Sequence, residues 1–205
     1  MPRRPSGRRE RIGQTGLTII ASSGLHALTH RNVDAALAFP PGTTSYYARS
    51  RRELVALAVE RLAARLDALP LGEASSVSTE PEAVAALTSA VELLLAEHGT
   101  DQLARLVLLI DLRGDPELLD LLAESPIQAA VVAAVETLLS QIGAADPTTA
   151  AAGLLALIDG LMLASFVSDP PAPVRPAIAA YVAGLPRVEA GGVGGPDVAG
   201  EVHGA

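Results

Sequence analysis

The residues best suited to binding chemistry form one short polar stretch, residues 43–49 (TTSYYAR). Its hydroxyl groups can bond phosphates or base edges, and its methyl groups can contact thymine. Residues 50–52 (SRR) follow at once and open a predicted helix, where free backbone amides and guanidinium groups together form an anion site. These residue types, in this order, predict contact with double-stranded DNA.

No group of residues predicts catalysis. The chain has no cysteine, which excludes disulfides, thiolate metal sites and cysteine nucleophiles. His26, His30, His98 and His203 are too scattered for a metal site, and the first two are expected at the surface or as capping residues. Because there is also no Gly-rich phosphate loop and no nucleophile beside a base, we predict a protein that is not an enzyme and uses no metal or cofactor.

The charge of the chain is divided unevenly along its 205 residues, which together carry a net charge of −8. Residues 1–65 hold eleven arginines against four acidic residues, a balance of +7, and the remainder has a balance of −15. This division predicts a basic head that meets a polyanion and an acidic body with another task. The uncharged run at residues 12–30 is too polar for a signal peptide or a membrane span, so we expect a cytoplasmic location.

The elements that position these residues are predicted to be helices throughout, since the chain has only five aromatic residues and no Asn-Gly or Asp-Gly hairpin turn. Asp115, Ser125 and Asp146 each precede a proline as N-caps do, and capping boxes begin at Ser50, Thr79 and Ser125. The fold class is therefore all-α, with helices predicted over residues 8–23, 30–37, 43–48, 51–68, 80–98, 101–113, 116–123, 126–142, 147–167 and 174–184.

Composition divides the chain into three parts. Residues 1–69 form the basic head, a three-helix DNA-binding unit with a basic N-terminal arm at residues 3–11 and a connecting helix. Residues 70–186 form a helical body for effector binding and dimerisation, and residues 187–205, rich in glycine, valine, alanine and proline, form a mobile tail.

Two predicted helices between residues 29 and 54 are separated by residues 38–42 (AFPPG), in which prolines and glycine prevent a continuous helix. This is the helix-turn-helix plan, whose second helix enters the major groove. Residues 11–54 resemble the DNA-binding segment of the TetR (tetracycline-repressor) family of bacterial regulators. Residues 24–29 (GLHALT) are similar to the end of the family's first helix, and residues 42–54 align without a gap with the family pattern G-T-L-Y-x-H-F-x-S-K-E-x-L.

The agreement lies in Gly42, Thr43, Ser50 and Leu54, with Arg51 in place of the lysine. Two tyrosines keep aromatic character, one expected in the core and the other facing phosphate. The chain departs from the pattern at residues 44, 45 and 48, which thins the usual aromatic wedge. The resemblance and the local chemistry together predict these DNA-binding residues: Thr29, Arg31, Pro41, Thr43, Thr44, Ser45, Tyr46, Tyr47 and Arg51.

The resemblance also implies a homodimer formed through the last two long helices. The sequence agrees, because the helix at residues 147–167 is apolar nearly all round and needs a covering surface on every side, which a second copy of the chain would supply. A single buried helix in a monomer is the alternative. The two heads of a dimer would then lie about 34–36 Å apart, one turn of DNA, or a multiple of that distance.

A regulator of this kind senses a small-molecule effector in its helical body. Polar residues in otherwise apolar helices are the candidates, because ligand pockets are mostly apolar with a few orienting groups. The identity of the effector is not readable from the sequence, although scarce aromatics favour an aliphatic pocket. The predicted ligand-binding residues are His98, Gln102, Arg105, Asp111 and Asp159, with Met162 and Phe166 as apolar lining.

The predicted function is a ligand-responsive, homodimeric transcriptional repressor that binds a palindromic DNA operator. The alternative is a helical small-molecule-binding or interaction protein that has lost DNA binding. Ser45, Ala48 and the unusual pair Pro40-Pro41 motivate that alternative.

Overall fold

Nine α-helices provide nearly all the regular structure of residues 5–66, 77–123 and 126–188, the parts of the chain that this computed structural model describes. A 3-10 turn, Leu25–Ala27, follows the first helix, and one isolated β-bridge joins Ala144 to Arg187. The predicted all-α class is confirmed. The helices are α1 (Pro5–Ser23), α2 (His30–Ala36), α3 (Thr43–Tyr47), α4 (Arg51–Leu66), α5 (Glu80–Asp111), α6 (Pro116–Ala123), α7 (Pro126–Gln141), α8 (Pro147–Val167) and α9 (Val174–Ala183).

Two of the long helices begin at predicted caps. The Thr79 hydroxyl accepts a hydrogen bond from the Glu82 amide, and the Glu82 carboxylate accepts one from the Thr79 amide at 3.0 Å, which completes a capping box. Asp146 caps α8 by accepting a hydrogen bond from the Thr149 amide at 3.1 Å. The capping box predicted at Ser125 lies outside the described residues.

The sequence predicted separate helices at residues 80–98 and 101–113, and the break falls where it was predicted. α5 consists of two helical segments that meet without a loop at a kink at His98, which has the non-helical angles φ −125° and ψ 17°. Gly99 and Thr100 are poor helix formers, but no proline removes a backbone donor there, so the helix resumes after one residue. α5 is therefore kinked where the sequence had indicated a helix end.

Two apolar clusters form the core, and α5 contributes to both. The first joins α1, α2 and α4 and includes the fully buried Ile12 and Leu62. The second joins α5 with α7, α8 and α9, and it includes Leu106 beyond the kink as well as residues of the first half of α5. Leu108 near the end of α5 and Leu118 in α6 belong to the first cluster, so these two segments pack with the head.

The helices α1 and α4 approach closely at Gly13. A Cβ atom added to this glycine would lie 2.6 Å from the carbonyl oxygen of Leu57 and 2.8 Å from Cβ of Arg61, both on α4. Since real Cβ atoms do not come so close to other atoms, only glycine fits at this contact. It fixes the spacing of the two helices that support α2 and α3.

The predicted basic arm is largely part of α1, which begins at Pro5, and residues 1–4 lie outside the described residues. Arg9 forms an ion pair with Glu60 at 3.2 Å. The guanidinium carbon of Arg11 lies 5.2 Å from the ring centroid of Phe39, a cation–π contact. These two arginines are thus engaged within the head, and the contact of the basic arm at residues 3–11 with DNA stays a prediction.

The predicted tail begins too early. Arg187 donates hydrogen bonds to the Glu80 carboxylate at 2.7 Å and to the Ile142 carbonyl at 3.0 Å. The Val188 amide donates to the Gly143 carbonyl at 3.0 Å. The first two residues of the predicted tail therefore bind the body, and residues 189–205 lie outside the described residues.

Candidate nucleic-acid interface and ligand-binding residues

The helix α3 is held on α2 at both of its ends. At its start, the Asp34 carboxylate accepts hydrogen bonds from the Gly42 amide at 2.8 Å, the Thr44 amide at 2.8 Å and the Thr44 hydroxyl at 2.6 Å. At its end, Nε2 of His30 lies 2.8 Å from the Ala48 carbonyl oxygen, a hydrogen bond in which the ring nitrogen is the donor. A five-residue helix, too short to be stable alone, is thereby placed by its neighbour.

Hydrogen-bond donors keep the Asp34 carboxylate ionised although the residue is buried. Burial acts to raise its pKa, but the Thr44 hydroxyl, the amides of Thr44 and Gly42, and the nearby His30 together hold the pKa below its ordinary value of 3.8. The side chain thus carries its negative charge at neutral pH, and each of its three short bonds is strengthened by that charge.

The outer face of α3 is free within the described chain. Tyr46 is 82% exposed, and Ser45 beside it is exposed. Tyr47 is half-buried against the first apolar cluster, and its ring meets that of Tyr46 edge to face with centroids 5.2 Å apart. One tyrosine thus packs inward and the other projects outward, the arrangement that the sequence had suggested.

Two further predicted DNA contacts border this face. Arg31 on α2 is exposed, and no hydrogen bond or ion pair engages its guanidinium within the parts of the chain that are described. Pro41 in the turn is also exposed. The charge of Arg31 is therefore available at the edge of the α3 surface.

Three predicted contacts have structural roles instead of free side chains. Thr44 is fully buried with its hydroxyl bonded to Asp34, so the expectation that its side chain reaches DNA was wrong. The Thr29 hydroxyl caps α2 by accepting from the Asn32 amide at 3.2 Å. The Thr43 hydroxyl donates to the Pro40 carbonyl at 2.6 Å, which closes the turn before α3.

The guanidinium of Arg51 is tied to the head itself. It donates to the carbonyl oxygens of Leu25 and Leu28, each at 2.9 Å, and so fixes the start of α4 to the turn between α1 and α2. The residue remains exposed. Any contact of Arg51 with a phosphate would use the N–H groups that these two bonds leave free.

In the body, three of the predicted ligand-binding residues meet. Arg105 on α5 forms an ion pair with Asp159 on α8, and its Nε donates to the Gln102 side chain at 3.0 Å. Arg105 is 15% exposed and Asp159 39% exposed, so the pair lies at the edge of the second apolar cluster. Opening the pair would free a carboxylate and a guanidinium for a ligand.

The remaining predicted ligand residues divide into two sets. Met162 is buried in the second cluster, and Phe166 packs against that cluster. The Phe166 ring approaches the kink of α5, where its Cε1 would lie 3.5 Å from a Cβ on Gly99, the neighbour of His98. Asp111 is exposed at the last residue of α5 and is not part of this group, because the end of α5 packs with the head.

The described residues include two surface clefts. One, of about 370 Å³, lies between α7 and α8 and is bordered by Thr137 and Thr148. The other, of about 400 Å³, lies where α1 and α4 meet the kink of α5. Of the predicted ligand residues, only His98 borders either of these two clefts.

The residues that sequence reasoning missed act through tertiary contacts. Asp34 was not among the predicted site residues, and His30 was expected at the surface or as a capping residue. Asp101 was also not among the predicted site residues, and it forms an ion pair with Arg65 on α4. No local spacing signals these pairs, since each joins different helices.

Known proteins share both the body sequence and the whole fold. A family model described as the C-terminal domain of tetracyclin repressor-like proteins matches residues 78–187. A transcriptional regulator from Rhodococcus sp. Rha1 is 22% identical with a TM-score of 0.67, covering 86% of this chain and 95% of that one. A Saccharomonospora viridis protein in complex with choline is 21% identical with a TM-score of 0.67, covering 86% and 94%.

The multidrug binding protein EbrR, complexed with ethidium, is 25% identical with a TM-score of 0.61, covering 87% of this chain and 99% of that one. No functionally curated protein matches the sequence. Similarity thus extends over nearly the full length of each solved structure and includes both head and body.

Proposed function

This chain belongs to the TetR family of transcriptional regulators, and on that premise we propose that it is a homodimeric repressor of a palindromic operator, with a DNA affinity set by a small-molecule effector. The observation that carries this proposal is that α3 is fixed to α2 at both ends and has an exposed outer face. Asp34 and His30 on α2 fix both ends of this helix, while Tyr46 and Ser45 are left exposed on its outer face. A fixed helix with a free polar face is what insertion into a major groove requires.

The head has the charge for this role. Arg31 lies at the edge of the α3 face, and Arg49 directly after the helix is exposed. Arginines placed around an exposed helix bind phosphates and release counterions, so the affinity for DNA should fall steeply as salt rises. Tyr46 offers a hydroxyl and a ring face to the groove, which positions it for base or sugar contacts.

The dimer is proposed from the surface of α8. This helix is long and apolar enough to cross a membrane, yet only 33% of its most apolar 18-residue segment is buried in the single chain. Leu163 is 40% exposed and Val167 is 74% exposed. A second copy packing the same faces of α7 and α8 would cover these side chains around a two-fold axis.

The effector is proposed to bind beside Arg105 and Asp159. Phe166 and Met162 supply apolar surface near this ion pair, and Gln102 supplies an amide. Related structures hold choline or ethidium. A ligand that opened the Arg105–Asp159 pair would separate α5 from α8, and α5 carries the head at its far end.

The test is fluorescence anisotropy with a labelled DNA fragment that the protein captures from its own genome. We expect Arg31→Ala to reduce the slope of log affinity against log salt by about one for each phosphate that the variant no longer neutralises, and Tyr46→Ala to weaken binding at every salt concentration. Arg175→Ala on α9, which removes the same charge from an exposed site in the body, is the matched control and should bind like the parent protein.

Absence of binding at low salt by the parent protein would overturn the DNA-binding proposal and favour a ligand-binding protein that has lost its operator. Equal weakening in Arg31→Ala and Arg175→Ala would show that net charge, and not the α3 surface, carries the binding.

A further inference from the structure

The guanidinium of Arg11 lies over the ring of Phe39, with its carbon atom 5.2 Å from the ring centroid. This contact joins α1 to the turn between α2 and α3, since Phe39 follows α2 and precedes α3. Arg11 is exposed, and no hydrogen bond or ion pair engages its guanidinium in residues 5–66, 77–123 and 126–188. The ring therefore positions this cation while its charge stays unmatched.

Phe39 is itself held in place by the backbone and the core. Its amide donates to the Asp34 carbonyl at 2.9 Å, and its ring is half-buried against the first apolar cluster. The turn that follows is closed by the Thr43 amide and hydroxyl, which donate to the Pro40 carbonyl at 3.1 Å and 2.6 Å. A ring fixed in this way orients the guanidinium before any partner binds, which lowers the entropy cost of binding.

Other arginines of the head are engaged by carboxylates of the chain. Arg9 is paired with Glu60 at 3.2 Å, and Arg52 at the start of α4 is paired with Glu117 at 2.7 Å. Arg11 differs from both, because an aromatic ring attracts a cation without neutralising it. Its N–H donors are therefore available to an anion from outside the chain.

The position of Arg11 complements that of the two exposed arginines proposed above to bind phosphates. Arg49 directly follows α3, and Arg31 is next in the chain to His30, which bonds the end of α3. Phe39 instead precedes the start of α3. The five residues of α3 make it about 7.5 Å long, less than the major-groove width of about 12 Å. Cations beyond both of its ends are therefore within reach of the phosphates that border the groove.

We infer that Arg11 binds a DNA phosphate beside the start of α3, and that Phe39 is the positioning residue that holds the guanidinium there. The inference rests on the DNA binding proposed above, and it adds a contact from α1, outside the helix-turn-helix itself. Phosphate fits this position because a planar guanidinium with free N–H donors binds its oxygens in pairs.

The experiment is fluorescence anisotropy with the captured DNA fragment at salt concentrations from about 50 to 200 mM. We expect Arg11→Gln to weaken binding about tenfold at the lowest salt, as for one lost charged hydrogen bond, and to reduce the slope of log affinity against log salt by about one. Arg9→Gln removes the same charge from the same helix and is the matched control, because Arg9 is already paired with Glu60. It should bind within about twofold of the parent protein, with an unchanged slope.

The role of Phe39 is tested by a double-mutant cycle. Phe39→Leu keeps an apolar side chain but removes the ring, and should weaken DNA binding about two- to fivefold with no change of slope, as for one exposed cation–π contact. In the Arg11→Gln background the same substitution should cause no further loss. Phe39→Tyr retains a ring and should bind like the parent protein. Circular dichroism melting shows whether each variant is folded at the temperature of the assay.

Equal weakening by Phe39→Leu in both backgrounds would mean that Phe39 only supports the turn, and its positioning role would be overturned. If Arg11→Gln binds as Arg9→Gln does while Arg31→Ala still lowers affinity, the phosphate contact of Arg11 is overturned and the DNA-binding proposal stands. Failure of the parent protein to bind DNA at low salt overturns both. The comparison of Arg11→Gln with Arg9→Gln decides the inference even if Phe39→Leu does not fold.

Discussion

Replacing Asp34 with alanine should detach α3 from α2. The carboxylate serves three donors, the Gly42 amide and the amide and hydroxyl of Thr44. Alanine has no acceptor group. It would also leave an empty space where the Asp34 carboxylate lies, at a position that is only 4% exposed. The Thr44 side chain, fully buried, would then have an unsatisfied hydroxyl.

The loss in the free energy of unfolding caused by Asp34→Ala depends on which of the three donors water can reach in the variant. Gly42 is exposed, so its amide can be hydrated in the variant, whereas the two donors of Thr44 lie under the surface. Two buried donors left unsatisfied, at about 1–2 kcal/mol each, lower the free energy of unfolding by about 2–4 kcal/mol. For a chain of this size the melting temperature should fall by about 2–4 °C per kcal/mol, hence by about 4–16 °C.

The assay is thermal and urea unfolding followed by circular dichroism, with DNA affinity measured on the same samples. Asp34→Asn retains one acceptor oxygen and should lose about half as much stability as Asp34→Ala. Glu10→Ala, at an exposed position of α1, is the control for loss of an acidic side chain. The reasoning is refuted if Asp34→Ala unfolds within about 0.5 kcal/mol of the parent protein, the usual spread for surface changes.

The same side chain gives a pH dependence with a defined sign. Burial opposes ionisation, but the donors of Thr44 and Gly42 and the neighbouring His30 hold the pKa of Asp34 below 3.8. A carboxyl with a lowered pKa stabilises the fold fully above its unfolded pKa, and this contribution is lost as pH falls through the folded pKa. The stability difference between the parent protein and Asp34→Asn should therefore narrow below pH 3.8.

Two further predictions concern packing. Gly13→Ala should destabilise the chain, because the overlap with Leu57 and Arg61 costs about 1–3 kcal/mol and outweighs the helix propensity of about 1 kcal/mol that alanine adds. Gly7→Ala, with no atom within 4 Å of the added Cβ, is the control in the same helix, and calorimetric melting compares the two. Leu163→Arg should convert the proposed dimer to a folded monomer in sedimentation velocity, while Leu93→Arg, at a residue 47% exposed on α5, should not. A dimer that survives Leu163→Arg would place the interface elsewhere.

Capping residues and other local sequence signals were enough to predict where most of the helices lie. The bounds of α8 agree with the sequence prediction because Asp146 and Pro147 specify a helix start within two residues. The break predicted in α5 is a kink and not a loop, because Gly99 and Thr100 weaken a helix without forbidding it. Whether a weak helical residue ends an element depends on packing along both halves, which the two apolar clusters provide.

The functional surface was predicted only in part, for a geometric reason. In a helix as short as α3, the turn that precedes it decides which side chains face inward. That turn contains Gly42 at φ 87°, a conformation that favours glycine, and its amide is bonded to Asp34. Thr44 is consequently buried while Tyr46 is exposed, a difference that depends on the contact with α2 and not on residue type.

The organisation of the two cores constrains how the head can move. Leu108 of α5 and Leu112 directly after it lie in the same apolar cluster as α1 and α4, and Arg52 of α4 is paired with Glu117 of α6 at 2.7 Å. That exposed ion pair is worth at most about 1 kcal/mol, so the shared apolar surface provides most of the attachment. The end of α5 should therefore move with the head. Leu106 and the Arg105–Asp159 ion pair also attach this part of α5 to the body, so a turn at the kink at His98 requires that these contacts give way.

Hydrogen exchange can test this hinge. A residue at φ −125° and ψ 17° interrupts the regular hydrogen-bond ladder, so amides at residues 98–102 should exchange faster than those at residues 106–110 of the same helix. Gly99→Ala favours helix by about 1 kcal/mol, and its Cβ would make ordinary contact with Phe166 at 3.5 Å. The variant should slow exchange about fivefold at the kink and leave residues 106–110 unchanged, because only local opening is affected. Equal exchange rates at residues 98–102 and 106–110 in the parent protein would mean that α5 moves as one rigid rod, and the turning point would then have to lie outside this helix.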